Sequence, residues 1–244
     1  MIRANNRAND KIRNAKIVPD FIKFPEGACL FELGNTKIVC TASCEEKVPQ
    51  FLKNTGSGWI TAEYGMLPRS CPTRVIREST AGKVGGRTHE IQRLIGRSLR
   101  SVVNLNMLGE RTIWIDCDVL QADGGTRTAA ISGSFVALII ALNKLKKSAI
   151  INSIPVSHYL AAISVGIINK ISMLDLSYDE DSHADVDMNI VMDSEERLIE
   201  IQGTAEHEPF NLKQLDELIL LAKAGVSEIV SLQKKILEGM GIVL

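Results

Sequence analysis

From Arg127 to about Lys146 the chain reads as one helix whose apolar residues run nearly all the way round it. A helix with no polar face has nothing to offer water, so it must be deeply buried. Its longest apolar run, Ala129 to Leu142, is broken by Ser132, Gly133 and Ser134 and ends at Asn143-Lys144. That is too short and too interrupted to span a bilayer. Cover for such a helix must come from elsewhere in the fold, and 244 residues, 45% of them hydrophobic, suffice to build it.

Most of the cover reads as strands. Ala28 to Glu46 looks like a hairpin around Gly34-Asn35, and Ser57 to Tyr64 like a third strand. Met66 to Val84, with Pro68, Pro72 and Gly82, reads as a long exposed loop, and loops of that length are usually functional or disordered. Arg87 to Asn104 has helical spacing, with Ile91, Leu94, Ile95, Leu99, Val102 and Val103 on one stripe and Arg93, Arg97 and Arg100 on another face. Thr112 to Leu120 is a strand leading into the buried helix. Strand patterns recur at Leu160–Ile168, Ser172–Leu176, Val186–Met192 and Leu198–Gln202. Two amphipathic helical segments, Asn211–Lys223 and Val226–Leu237, close the chain with a break expected at Gly225. The fold class is α+β, with mixed β-sheets and long α-helices.

The net charge of −1 names no partner, but its distribution is uneven. Arg69 to Arg100 holds eight basic residues against two acids, and Asp175 to Glu208 holds twelve acids against Arg197 alone. Charge separated in this way suits a protein that handles a polyanion and a divalent cation, although two solvated faces of opposite sign would look the same. The five cysteines form no CxxC pair, and three lie in apolar, strand-like surroundings. Buried free thiols are expected, along with a reducing cytoplasmic setting, since the N-terminal MIRANNRAND shows no secretory h-region.

Three stretches could carry chemistry. In DGGTRT, Asp123 to Thr128, Gly124 and Gly125 let an anion approach the main chain at a helix start. Thr126 adds a hydroxyl there, and Arg127 a planar fork for two phosphate oxygens. A turn with a Thr cap and a surface Arg is the plainer reading. Gly85-Gly86 leads into a second helix at Arg87, so two guanidiniums could flank one phosphate. In DLSYDEDSHADVDMN, Asp175 to Asn189, a strand from Val186 would project Asp185, Asp187 and Asn189 from one side. A carboxylate there, near another on the preceding loop, outlines a site for a hard cation. Arg69, Arg74 and Arg77 are spaced to follow successive phosphates of a nucleic acid, or simply decorate a surface loop.

Taken in order, these pieces resemble the ribonuclease PH family. The matching blocks are GNTKIVCTA (34–42), GWITAEYGMLPRS (58–70), GRTHEIQRLIGRSLR (86–100), DCDVLQADGGTRTAAISG (116–133), DLSYDEDSHADVDMN (175–189) and IEIQGTAEHEPF (199–210). The resemblance implies a single catalytic domain over 1–244 in which inorganic phosphate attacks the 3′ end of an RNA, as in transfer RNA precursors, and releases a nucleoside diphosphate. It implies that Arg87, Gly125, Thr126 and Arg127 hold the phosphate. Asp181 and Asp187 would be catalytic and bind Mg²⁺ or Mn²⁺, and Arg69, Arg74 and Arg77 would hold transfer RNA. Arg93, Arg97 and Arg100 would line the RNA path or lie at a subunit interface. A homo-hexamer, built as a trimer of dimers, is implied too. The family's Asp-Gly-Arg element near the start is Asn5-Asn6-Arg7 here. A non-catalytic RNA-binding ring subunit of the exosome type is the alternative, and it could dispense with the phosphate loop or the acidic pair; this chain has both. A hydrolytic metal-dependent nuclease would need an activated water in place of a phosphate pocket.

Overall fold

The structure, a computed structural model, describes Arg3 and residues 6–244. Five strands make the first sheet: β1 (Ala15–Pro19), β2 (Gly27–Leu33), β3 (Thr36–Glu45), β4 (Trp59–Met66) and β5 (Thr112–Gln121), in the order β1-β2-β3-β5-β4. All neighbours are antiparallel except β4 and β5. A parallel pair needs a long crossover. Here the crossover carries the short α1 (Glu78–Ala81), the fifteen-residue α2 (Gly86–Arg100) and the short α3 (Leu105–Leu108). The expected hairpin turns at Gly34, whose φ of +58° is one that two-residue turns demand. The sequence pattern did not announce β1, a five-residue edge strand that ends in a proline.

The second sheet, β7-β6-β8-β9, is wholly antiparallel: β6 (Leu160–Ile168), β7 (Ile171–Leu174), β8 (Val186–Asp193) and β9 (Leu198–Ala205). A single turn of helix, α5 (Tyr178–Asp181), joins β7 to β8. The apolar helix α4 (Thr126–Lys147) packs on β2 and β3 of one sheet and on β6 of the other, with 129–142 buried throughout. Among the described residues it is the one helix long and apolar enough to cross a membrane, and it lies inside the core.

Ser132-Gly133-Ser134, which interrupts the apolar run, is where α4 meets its partners. A Cβ on Gly133 would stand 2.8 Å from the Cys40 sulfur and 3.0 Å from Phe31 Cβ, so glycine lets helix and sheet close up. Cys29 and Cys117 are buried free thiols on the same surface, the first 3.2 Å from the Gly133 carbonyl and the second 3.0 Å from the Ser134 hydroxyl. On the opposite side Ser132 Oγ lies 3.2 Å from the Ala162 carbonyl and accepts from the Ala162 amide, while Gln233 donates to the carbonyls of Ser132 and Leu160. These particular hydrogen bonds tie α4 to both sheets.

Gln233 belongs to α6 (Leu212–Gly239), a continuous 28-residue helix. The break expected at Gly225 does not occur. A Cβ there would stand 2.8 Å from Leu174 Cδ1 and 3.3 Å from Ile12 and Ile163, so this glycine permits the helix to lie close on the second sheet.

Candidate active site

The start of α4, the start of α2, α5 and β8 converge on a cleft of about 250 Å³, with Arg87, Gly124, Gly125, Thr126, Arg127, Asp181, Asp187 and Asn189 on its walls. All six residues expected to hold phosphate or to carry catalysis are therefore brought together. They span a hundred positions of sequence.

The glycine loop supplies one wall. Gly124 and Gly125 have φ of +77° and +64°, and a Cβ on Gly124 would lie 2.4 Å from the Leu176 carbonyl oxygen. Only glycine fits there, because the backbone entering α5 passes directly over it. Gly125 occupies the N-cap of α4, and no side chain caps the helix. Its first amides therefore face the cleft with the positive end of the helix dipole behind them. Thr126 accepts a hydrogen bond from Tyr64 (2.9 Å), so that buried tyrosine braces the loop from below.

Arg87 is exposed at the start of α2, on the cleft wall. That helix begins where Glu78 of α1 accepts from the Gly85 amide (3.0 Å) and the Thr88 hydroxyl (2.7 Å). A carboxylate at a helix N-terminus is favourable, so α1 fixes the point from which Arg87 projects. Arg127 is half-buried. Its Nη1 donates to Gln202 of β9 (3.1 Å) and lies 3.7 Å from Glu90 of α2.

The carboxylates form the opposite wall. Asp187 stands opposite Gly166 of β6, where there is no side chain beside it, and shares its strand face with Asn189. Burial, and then the charge of Asp181, push its carboxyl up to about 6. Burial likewise raises Asp181, against the lowering effect of its hydrogen bond with Asp187 and of Arg127 and Arg87. Two carboxyls close enough to share a proton resist being ionised together.

Two acids of the same stretch do structural work that its spacing did not reveal. Asp175 is fully buried and accepts from the Arg13 amide (2.7 Å), from Arg13 Nε (2.9 Å) and Nη2 (2.7 Å), and from Arg7 Nη1 (3.1 Å). Glu180 pairs with Arg3 at 2.7 Å and Arg7 at 3.0 Å. Burial works to raise the Glu180 carboxyl, but hydrogen bonds from Arg3 and the Ser177 amide and the nearby positive charge outweigh it, holding it at about 2. Arg13 also donates to the carbonyl of Asp123, so it ties the glycine loop to the acidic loop. Arg7 is thus a structural ion-pair partner; Asn5 lies outside the described residues.

Arg69, Arg74 and Arg77 are exposed along the loop after β4. Arg93 and Arg97 are exposed on α2 beside a second hollow of about 330 Å³, adjoining Glu90 and Gln202. Arg97 is ion-paired to Glu200 at 2.7 Å. Arg100 departs from them: it donates to the Ile60 carbonyl (2.7 Å) and lies 4.2 Å over the Trp59 ring, which makes it a packing residue. Sequence reasoning did not single out Arg13, Glu90, Ser164, Tyr178 or Gln202. Only Glu90, one turn beyond Arg87, carried a signal that could have marked it.

Residues 11–142 match the family model described as "3' exoribonuclease family, domain 1", and residues 158–225 match domain 2 of the same family. Ribonuclease PH of Syntrophomonas wolfei is 59% identical over 97% of this chain and 99% of its own length. Ribonuclease PH of Neisseria meningitidis is 55% identical over 96% of both chains. Among solved structures, rice Rrp46 superposes with a TM-score of 0.77 at 18% identity, covering 96% of this chain and all of that one. A chain of the Archaeoglobus fulgidus exosome with RNA bound to the active site gives 0.76 at 21% identity, covering 98% and 92%. These two show the fold.

Proposed function

Because this chain belongs to the ribonuclease PH family of 3′ exoribonucleases, we propose that the cleft at the start of α4 is where inorganic phosphate attacks the end of an RNA. The protein is a phosphorolytic 3′-to-5′ exoribonuclease. A phosphate oxygen forms a bond to the last internucleotide phosphorus, the bond to the preceding O3′ breaks, and that oxygen takes up the proton the phosphate carried. The terminal nucleotide leaves as a nucleoside diphosphate, and the shortened RNA keeps a free 3′ hydroxyl.

The observation that carries this reading is the convergence of an uncapped helix start, two guanidiniums and two carboxylates on one cleft. Attacking group and target are both anions. Arg87, Arg127 and the α4 amides lower their repulsion and fix the approach, which is most of what phosphoryl transfer asks of a protein. Residues from both family segments meet here, so residues 1–244 act as one catalytic unit.

Among the described residues no group of three or more His, Cys, Asp or Glu side chains is arranged to hold a metal. Asp181 and Asp187 alone would bind Mg²⁺ or Mn²⁺, as fits an ion that fills its remaining positions with water and substrate oxygens. Burial and the charge of Asp181 raise the Asp187 carboxyl despite Arg127, and a cation held by the pair would favour its ionised form. The ion would supply charge neutralisation at the scissile phosphate.

The loop of Arg69, Arg74 and Arg77, with Arg93 and Arg97 beyond it, would track the RNA body, transfer RNA precursors in particular. The family likeness suggests a homo-hexamer built as a trimer of dimers, in which exposed Phe24, Phe51 and Ile76 would be available for burial. The free thiols of Cys29, Cys40 and Cys117 suit the cytoplasm. The decisive experiment incubates the protein with RNA and Mg²⁺, with and without inorganic phosphate. Diphosphates that appear only with phosphate support the proposal; monophosphates released without it would refute it.

A further inference from the structure

Arg127 is not a free arginine. Two side chains from two other elements close a triangle with one corner of it. Its Nη1 donates to Gln202 Oε1 (3.1 Å), the Gln202 amide nitrogen donates to Glu90 Oε1 (2.9 Å), and Glu90 Oε2 lies 3.7 Å from Nη1. Gln202 can serve only in one orientation, since its oxygen must face the arginine and its nitrogen the carboxylate. Among the described residues, Nε and Nη2 of Arg127 make no hydrogen bond within the protein. They form the edge of the guanidinium that grips two oxygens of one anion side by side.

We infer that Glu90 and Gln202 are positioning residues that hold Arg127 by Nη1 and leave its Nε–Nη2 edge for the attacking phosphate. The inference rests on the reading of Arg127 as a phosphate ligand. A long side chain with four rotatable bonds loses much entropy when a ligand orders it, and a corner held in advance removes part of that cost. Glu90 contributes in a second way. It sits one turn beyond Arg87 on α2, so the helix that sets one phosphate-facing arginine also anchors the other. Its carboxylate offsets the charge of Arg127 when no phosphate is bound, yet it reaches only the corner of that guanidinium that the phosphate does not need.

The test measures KM for phosphate at saturating RNA and KM for RNA at saturating phosphate, in wild type, Gln202→Ala, Glu90→Ala and Glu90→Gln. Losing a hydrogen bond to a charged group should raise KM for phosphate about tenfold in both alanine variants. KM for RNA should stay within about twofold, in line with the same estimate. Glu90→Gln keeps an oxygen acceptor for Gln202 and should restore most of the phosphate affinity. Gln202→Leu keeps nearly the size but neither accepts from Arg127 nor donates to Glu90, so it should behave like Gln202→Ala even if the latter fails to fold. An equal rise in both KM values would overturn the inference, as would unchanged phosphate KM in the alanine variants, or no rescue in Glu90→Gln. Arg127→Ala separates the two levels: if it leaves phosphate KM unchanged, the reading of the site itself fails. If it raises phosphate KM while Gln202→Ala does not, only the positioning role fails.

Discussion

Replacing Asp187 with asparagine should abolish turnover and make the metal-free protein more stable at neutral pH. The carboxyl of Asp187 is moved from an ordinary 3.8 to about 6, chiefly by burial and then by the charge of Asp181. That difference of about two pKa units corresponds to roughly 3 kcal/mol spent in keeping the group ionised above pH 6. The folded state binds this proton more tightly than the unfolded chain does, so the contribution of Asp187 to stability is greatest below pH 4 and falls as pH rises towards 6. Asparagine carries no charge and can still donate to Asp181, which keeps the shape of the wall. Urea unfolding of both proteins at intervals from pH 4 to pH 8, without divalent ions or phosphate, reads the effect. The variant should gain on wild type with rising pH, by up to about 3 kcal/mol above pH 6. Adding Mg²⁺ at pH 7.5 should stabilise wild type and leave the variant nearly unmoved. A variant less stable than wild type at pH 7.5, or a difference independent of pH, would refute the picture of two unneutralised neighbours.

Arg127→Ala should leave only residual phosphate-dependent release of nucleoside diphosphate, partly recovered at high phosphate, and leave RNA binding largely intact; a matching loss in a filter-binding titration would contradict its placement on the phosphate side. Substituting Arg69, Arg74 and Arg77 together should weaken binding of a folded transfer RNA precursor more than of a short oligonucleotide, since the larger RNA offers more phosphates to that exposed loop. Equal effects in the same titration would exclude the loop. Arg13→Ala leaves Asp175 buried with only Arg7 opposite it and should cost about 3 to 5 kcal/mol in denaturant unfolding. A loss below about 1 kcal/mol would mean that the link between the glycine and acidic loops is not a stabilising one.

The candidate site was unevenly legible. DGGTRT could be recognised because anion binding at a helix start demands glycine, a hydroxyl and a cation in a row, all local in sequence. The projection of Asp187 and Asn189 from one strand face followed from the two-residue period alone. Asp175 and Glu180 could not be told apart from the functional acids, because what separates them is the company of Arg3, Arg7 and Arg13, 162 to 177 residues away. Gly225 misled for the same reason. A glycine in a helical pattern signals a break only when nothing packs against it, and here β6, β7 and Ile12 do.

By itself the sequence determined that α4 must be buried, where most of the strands run, and which short segments offer phosphate chemistry, since periodicity and glycine conformations act over a few residues. The tertiary structure alone decided which sheets cover α4, that Arg87, Arg127, Asp181 and Asp187 share one cleft, and that Glu90 and Gln202 hold Arg127 from behind. Those are distances between parts of the chain that local patterning leaves free, and only packing two sheets around one helix brings them within reach of a single phosphate.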